Sequence, residues 1–171
     1  MQYIPTQTNA RAKRVATALF AASLFLFFVS GFRALPYRGV VQLVSFSVMT
    51  AAILVCVRYL FRSYAYRIDP AEDGYELVIL ELSKRGSVVV CRLSMNALLA
   101  VEPWGDEATK EKRAQRSIKI YNYCVDISPA DACLLTFADS TYSASNTPIC
   151  LKIQCDNNFK TTLEGFLTAI N

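Results

Sequence analysis

The chain has 171 residues, 53% of them hydrophobic and 19% charged, with a formal net charge of +4 and no histidine. Residues 1–63 carry seven Lys or Arg and no acidic residue, whereas residues 64–171 carry eleven basic and fourteen acidic residues, a net charge of −3. The C-terminal part therefore lacks the positive surface that nucleic-acid binding requires, and His-dependent catalytic or zinc sites are excluded.

Two uncharged apolar runs dominate the N-terminal third of the chain. They cover residues 15–32 and 40–57, eighteen residues each. As a helix, such a run is about 27 Å long, close to the roughly 30 Å hydrocarbon core of a bilayer. We therefore predict a transmembrane helical hairpin over residues 15–62, preceded by a polar tail over residues 1–14. The short connection contains Pro36 and Gly39, which suit a tight reversal.

Basic residues around the spans predict their orientation. Two Lys or Arg lie in the connecting loop, and three lie on each outer flank: Arg11, Lys13 and Arg14 before the first span, and Arg58, Arg62 and Arg67 after the second. Cytoplasmic flanks carry the excess of Lys and Arg, so the bias predicts a multi-pass membrane protein with both termini in the cytoplasm. Ionisable side chains are absent from both runs, which gives no sign of an ion relay.

A cleaved signal peptide is the alternative for the first run. Basic residues precede the run, and the small residues Ser30 and Gly31 fit a cleavage site loosely. The run is longer than the usual 7–15-residue apolar core of a signal peptide, and a second run follows closely. Cleavage would leave the C-terminal domain in the cytoplasm, because the second span would then cross inward.

Residues 64–171 change to period-two alternation of short apolar runs, which is typical of strands. Turns are predicted over residues 69–74 and 84–86, and a loop over 139–147. In the last strand, alternation points Ile149, Leu151, Ile153 and Cys155 inward and Cys150, Lys152 and Gln154 outward. The predicted strands cover residues 64–68, 75–83, 87–95, 97–104, 118–125, 132–137 and 149–155.

The chain ends in a predicted amphipathic helix. Asp156, Asn157 and Asn158 are candidates for its N-cap. The apolar positions after them recur at helical spacing and form one stripe, which needs a partner surface to bury it. The stripe consists of Phe159, Leu163, Phe166, Leu167 and Ile170.

Seven short strands followed by one C-terminal helix resemble the pleckstrin-homology (PH)-like superfold. The two spans, followed by the strands YAYRI and GYELVILEL, also resemble bacterial inner-membrane proteins that carry a PH-like domain on a transmembrane hairpin. The resemblance implies an α+β protein: the hairpin, then a cytosolic seven-stranded β-barrel or sandwich over residues 63–171, capped by the C-terminal helix. It implies a binding or scaffolding role and brings no catalytic residue and no cofactor.

Charged segments provide the candidate contact residues. Residues 105–117 form a mixed-charge interruption, interpreted either as a solvated loop or short helix or as a surface for anionic lipid or an acidic partner. The first strand turn holds Asp69, Glu72 and Asp73, which disfavours the phosphoinositide site that eukaryotic PH domains form there. The candidate lipid or partner contacts are Lys84, Arg85, Lys110, Lys112, Arg113 and Arg116.

The cysteines predict neither disulfides nor a metal site. Cys56 lies in the second span, and the other five fall in a domain placed in the reducing cytoplasm. A CxxC pair is absent. The sequence also contains no Walker loop, no GxSxG motif and no GxGxxG motif. We therefore expect that the protein is not an enzyme.

The leading hypothesis is a membrane-anchored module that binds a protein partner or another copy of itself. It involves no nucleic acid and no identified small-molecule substrate. The alternatives are a sensor of anionic lipid at the membrane surface and an accessory subunit of a membrane transporter.

Overall fold

The computed structural model describes residues 2–5, 9–32, 37–83, 85–115, 118–138 and 148–170. It divides into two compact units. The helical unit is Thr8–Arg62, and the β unit combines Met1–Gln7 with Ser63–Asn171. In outline the protein is α+β: two long apolar helices are followed in the chain by two β-sheets and a C-terminal helix.

The helical unit is a pair of helices that contact each other through small residues. Helix α1 is Ala10–Ser30 and helix α2 is Arg38–Val55, which continues into one π-helical turn, Cys56–Leu60. Ser23 Oγ donates to the Ser45 carbonyl at 3.1 Å, and Ser45 Oγ donates to the Ser23 carbonyl at 2.8 Å. Small residues allow such close approach of two helix backbones. The buried residues of the two helices are Ala12, Ala16, Ser23, Ser30, Ser45 and Ala52.

The large side chains of these helices are exposed rather than packed in a core. Phe25, Phe28 and Leu43 are among the most exposed apolar residues of the chain. Both helices are long and apolar enough to cross a membrane, over Ala10–Ser30 and Arg38–Leu60. Two exposed helices with apolar surfaces fit a lipid environment better than water, since no other described residue of the helical unit covers those side chains.

The first sheet of the β unit, sheet A, is antiparallel with strand order β1-β2-β3-β4. Its strands are β1 (Gln2–Tyr3), β2 (Ser63–Ala71), β3 (Gly74–Ser83) and β4 (Gly86–Ser94). The predicted six-residue turn over 69–74 is too long, because Ala71 pairs with Gly74 and leaves only Glu72 and Asp73 in the turn. Gly74 has φ +121°, a conformation that side-chain-bearing residues rarely adopt.

The second sheet, sheet B, has strand order β5-β7-β8-β6. A 3₁₀ turn at Met95–Ala97 leads into it. Strand β6 runs parallel to β8 and is shorter than the predicted 118–125, because the Asn122 side chain accepts from the Cys124 N–H at 3.0 Å and turns the chain. The predicted loop at 139–147 lies outside the described residues. The elements are β5 (Leu98–Pro103), α3 (Glu107–Ala114), β6 (Ile120–Asn122), β7 (Ala132–Phe137) and β8 (Ile149–Gln154).

Helix α4 (Asn157–Ile170) closes the β unit, as the sequence predicts. Asp156 is its N-cap: the Oδ1 atom accepts from the Phe159 N–H at 2.8 Å. Phe159 and Leu163 are fully buried in a single core, to which both sheets contribute. Because one apolar stripe of the helix lies on the core, α4 covers apolar surface that the two sheets would otherwise expose.

Candidate interaction surface

The outer edge of sheet A exposes three consecutive valines. Strand β4 is the last strand of the sheet, and within the described residues it pairs only with β3. Val88, Val89 and Val90 are 64%, 45% and 37% exposed. Ile79 pairs with Cys91 and Leu80 with Val89, so Val90 is the extra residue of a β-bulge. The edge therefore offers a row of backbone hydrogen-bonding groups beside an apolar strip, here called the β4 edge (residues 86–94).

The β4 edge has little of the protection that natural edge strands carry. Edges are commonly blunted by Lys, Pro or inward-pointing charges. Arg92 is the only charged residue of the strand, and its Nη1 atom lies 3.4 Å from Glu76 Oε2 on the neighbouring strand. The bulge at Val90 is the one feature of β4 that would hinder pairing with another strand. An exposed apolar edge with its charge already paired is suited to bind another strand.

A groove of about 390 Å³ lies at one end of β4, beside the β2–β3 turn. Glu72, Asp73 and Glu76 line it together with Arg92. Three carboxylates against one guanidinium make the groove acidic, so a phosphate or lipid headgroup would be repelled there.

The cationic residues singled out from the sequence lie in two separate elements. Arg85 belongs to the β3–β4 turn of sheet A, where its N–H donates to Ser83 Oγ at 3.3 Å. Lys110 and Lys112 lie on α3, which follows β5 of sheet B. Lys84, Arg116 and the side chain of Arg113 lie outside the described residues. The described candidate contacts therefore belong to the β3–β4 turn and to α3.

Of the two α3 lysines, only Lys110 is exposed. Its Nζ atom lies 3.6 Å from Glu107 Oε1, a weak surface pair. The Lys112 Nζ atom donates to Glu102 Oε2 at 2.7 Å and to Thr136 Oγ1 at 3.1 Å, with both charged side chains about three-quarters buried. This ammonium group holds α3 on sheet B. Because Glu102 neutralises its charge, Lys112 attracts an anionic membrane only weakly.

The outward-pointing face of β8 is covered rather than exposed to solvent. Cys150, Lys152 and Gln154 point away from the core, yet all three are buried. The Lys152 Nζ atom lies 4.0 Å from the centroid of the Trp104 ring, a close cation–π contact. The chain after β5 folds back over this face and covers it, with Thr109 of α3 fully buried and its hydroxyl donating to the Pro103 carbonyl at 2.9 Å. The single tryptophan, directly before the charged segment, is the sequence signal for this cover.

The thiols of Cys91 and Cys150 are poor nucleophiles. Burial raises the pKa of Cys150, whose Sγ atom lies 3.9 Å from Thr136 Oγ1. Burial likewise raises the pKa of Cys91. Both stay protonated at neutral pH, which disfavours thiolate chemistry. Within the described ranges, no three His, Cys, Asp or Glu residues are grouped as metal ligands.

Comparisons with known proteins supply no family for the chain. No protein-family model matches it, and neither a curated protein nor a solved structure matches it. Interpretation of the β4 edge and of the resemblance to PH-like proteins therefore depends on the physical arguments given for each.

Proposed function

We propose that this is a non-enzymatic, membrane-anchored module whose β unit associates with a second copy of the chain through the β4 edge. The observation that carries the proposal is the exposure of Val88, Val89 and Val90 on an edge strand with a paired charge. The helices α1 and α2 act as the anchor, and the β unit lies at the cytoplasmic face of the membrane, as the distribution of basic residues predicts.

A second copy fits the β4 edge because the strand is self-complementary. In a two-fold antiparallel pair centred on Val89, Val88 faces Val90, Ser87 faces Cys91 and Gly86 faces Arg92. No like charges meet in this register, and the central positions are β-branched residues, which favour cross-strand packing. Anchoring both copies in one membrane raises their effective concentration, so a short edge-to-edge contact is sufficient for pairing.

The β unit is proposed to be PH-like. Support comes from its two sheets around one core and from the capping helix α4. The parallel pairing of β6 with β8 and the additional strand β1 go beyond the predicted inventory of seven strands. The proposal for self-association does not depend on this assignment, because the β4 edge belongs to the hairpin of β3 and β4.

The lipid-sensor alternative has less support. It depended on a basic surface that includes Lys112, and that side chain is engaged by Glu102. The remaining described candidates, Arg85 and Lys110, lie in different elements. At about 1 kcal/mol for each basic residue near the bilayer, two separated cations bind anionic lipid weakly.

The test is the mass of the intact protein in nanodiscs or mild detergent, measured by light scattering. Wild type is expected to be dimeric, and Val89→Lys is expected to be monomeric because two lysines would face each other at the centre of the pair. Leu99→Lys is the matched control: Leu99 is 60% exposed on β5, the edge of the other sheet, and the variant should stay dimeric. A monomeric wild type, or loss of the dimer in the Leu99 variant alone, contradicts the proposal, and a stoichiometric foreign protein would favour the accessory-subunit alternative.

A further inference from the structure

Two buried cysteines contact each other through their sulfur atoms. Cys133 lies on β7 and Cys155 directly follows β8, and their Sγ atoms are 2.7 Å apart. Both side chains belong to the core of the β unit, together with Phe159 of α4. This pair could not be predicted from the sequence, because the two cysteines are 22 positions apart and alternation does not determine the register of β7 and β8.

Strand register fixes the contact between these thiols. Cys133 pairs with Ile153, and the Cys155 N–H donates to the Asp131 carbonyl at 3.0 Å. Cys155 therefore lies diagonally opposite Cys133 on the core face of two hydrogen-bonded strands. A disulfide bond is about 2.05 Å long, so the sulfurs need to approach by only about 0.7 Å to form one.

The two thiols differ in proton affinity. The Cys155 thiol donates a hydrogen bond to Cys133 Sγ, and this bond lowers the pKa of Cys133, against the effect of burial. The positive charge of Lys160 on α4 also lowers it, whereas the negative charges of Asp131 and Glu164 raise it. The same hydrogen bond and burial raise the pKa of Cys155. Cys133 is therefore the member of the pair that becomes the thiolate nucleophile, and Cys155 is the resolving thiol.

We propose that Cys133 and Cys155 form an oxidative modification site that hydrogen peroxide converts to an intramolecular disulfide. The Cys133 thiolate attacks a peroxide oxygen; an S–O bond forms, the O–O bond breaks, and hydroxide leaves and takes up the proton that Cys133 released. The Cys155 sulfur then displaces the sulfenic hydroxyl, which leaves as water with the Cys155 proton. Two thiols are oxidised and one peroxide is reduced to two waters.

The test uses the full-length protein in detergent, reduced, treated with hydrogen peroxide and then alkylated under denaturing conditions. Peptide mass spectrometry is expected to show a peptide pair joined through Cys133 and Cys155, about 2 Da lighter than the two thiol peptides. Cys91 and Cys150 should be recovered as alkylated thiols. The matched control, Cys150→Ser, should form the same disulfide. In Cys155→Ser the expected product is a Cys133 sulfenic acid, detected with dimedone.

Two results overturn the proposal. One is recovery of both cysteines as alkylated thiols in wild type, under peroxide treatment that oxidises free cysteine in the same tube. The other is a disulfide that joins either cysteine to Cys91, Cys124 or Cys150 instead. Both are read on the wild-type chain, so a folding defect in a variant does not affect the conclusion.

Discussion

The hydroxyl of Tyr66 connects the two sheets of the β unit. It donates to the Tyr123 carbonyl at 2.9 Å and accepts from the Gln154 N–H at 3.2 Å. The ring is fully buried, and burial raises the pKa of this phenol well above its usual value. One side chain of sheet A thereby provides the hydrogen-bond partner for backbone groups of Tyr123 and Gln154. A water molecule could replace this hydroxyl only if the core opened.

Tyr66→Phe is expected to lower the free energy of unfolding by about 1–3 kcal/mol, because a buried carbonyl and a buried N–H lose their partner. Thermal unfolding of the purified protein, followed by circular dichroism, gives the comparison. Tyr75→Phe is the control, since Tyr75 is half exposed and keeps its ring contact with Phe166 at 5.2 Å. Equal midpoints for the two variants would show that the Tyr66 hydroxyl contributes nothing specific.

Alkaline pH is expected to destabilise the β unit through Tyr123. Burial raises the pKa of Tyr123 from its ordinary 10.0 to about 12. The unfolded chain therefore releases this proton at lower pH than the folded chain does, so the contribution of Tyr123 to stability is constant below about pH 10 and is lost as pH rises toward 12. Tyr123→Phe should make this fall less steep. Unfolding in urea at several pH values measures both slopes, and parallel slopes for wild type and Tyr123→Phe would contradict the assignment.

At the scale of elements, strand β1 shows what alternation cannot predict. Two residues, Gln2 and Tyr3, pair with Arg67 and Tyr66 of β2. Tyr3 stacks on Phe159 of α4 with ring centroids 4.8 Å apart, and its hydroxyl accepts from the Asp156 N–H at 3.1 Å. A strand of two residues has no period, so its partner could be found only from the fold.

Tyr3→Ala is expected to lower the free energy of unfolding of the β unit by about 1–3 kcal/mol, since it removes aromatic stacking and apolar contact at the start of α4. Ile4→Ala, at a half-exposed neighbour, should change it by under about 0.5 kcal/mol. Hydrogen exchange at the N-terminal turn of α4 locates the effect. If both variants unfold like wild type, β1 does not stabilise this unit.

Strand β8 shows the limit of period-two reasoning in another way. Alternation correctly predicted that Leu151 and Ile153 face the core, because that face is decided by the strand's own apolar pattern. Alternation did not predict the burial of the Lys152 side chain. That burial depends on α3 and Trp104, which come from elsewhere in the chain. The helices and the cap of α4 followed from local signals, whereas the β4 edge and the Cys133–Cys155 contact needed the pairing of strands.

At the scale of the whole molecule, β1 constrains how the chain can cross a membrane. Residues 2–3 pair with residues 66–67, and the two apolar helices lie between these strands in sequence. A chain that crosses twice between two paired strands must begin and end on one side. Removal of the first helix by signal cleavage would also remove Tyr3 from the core contact with Phe159.

If both ends are cytoplasmic, cysteines introduced at Gln2 and Ser128 of a cysteine-free chain should react with a membrane-impermeant maleimide only after the membrane is opened. This result follows because intact cells exclude the reagent. Tyr37→Cys, at an exposed position at the N-terminal end of α2, is the control and should react in intact cells. Labelling of only one of Gln2→Cys and Ser128→Cys in intact cells would refute the shared side, and labelling of both would refute the cytoplasmic placement.

Cross-linking along β4 in the membrane-embedded protein tests the central claim most directly. Single cysteines at positions 87, 88, 89 and 91 of an otherwise cysteine-free chain are oxidised with copper phenanthroline, and the dimer fraction is measured on non-reducing gels. Antiparallel pairing centred on Val89 brings only residue 89 opposite itself, with Cα atoms about 4.5–5.5 Å apart, within disulfide reach. We expect a sharp maximum at Val89→Cys and a low yield at Ser87→Cys; uniform or absent cross-linking along the strand would contradict edge-to-edge association.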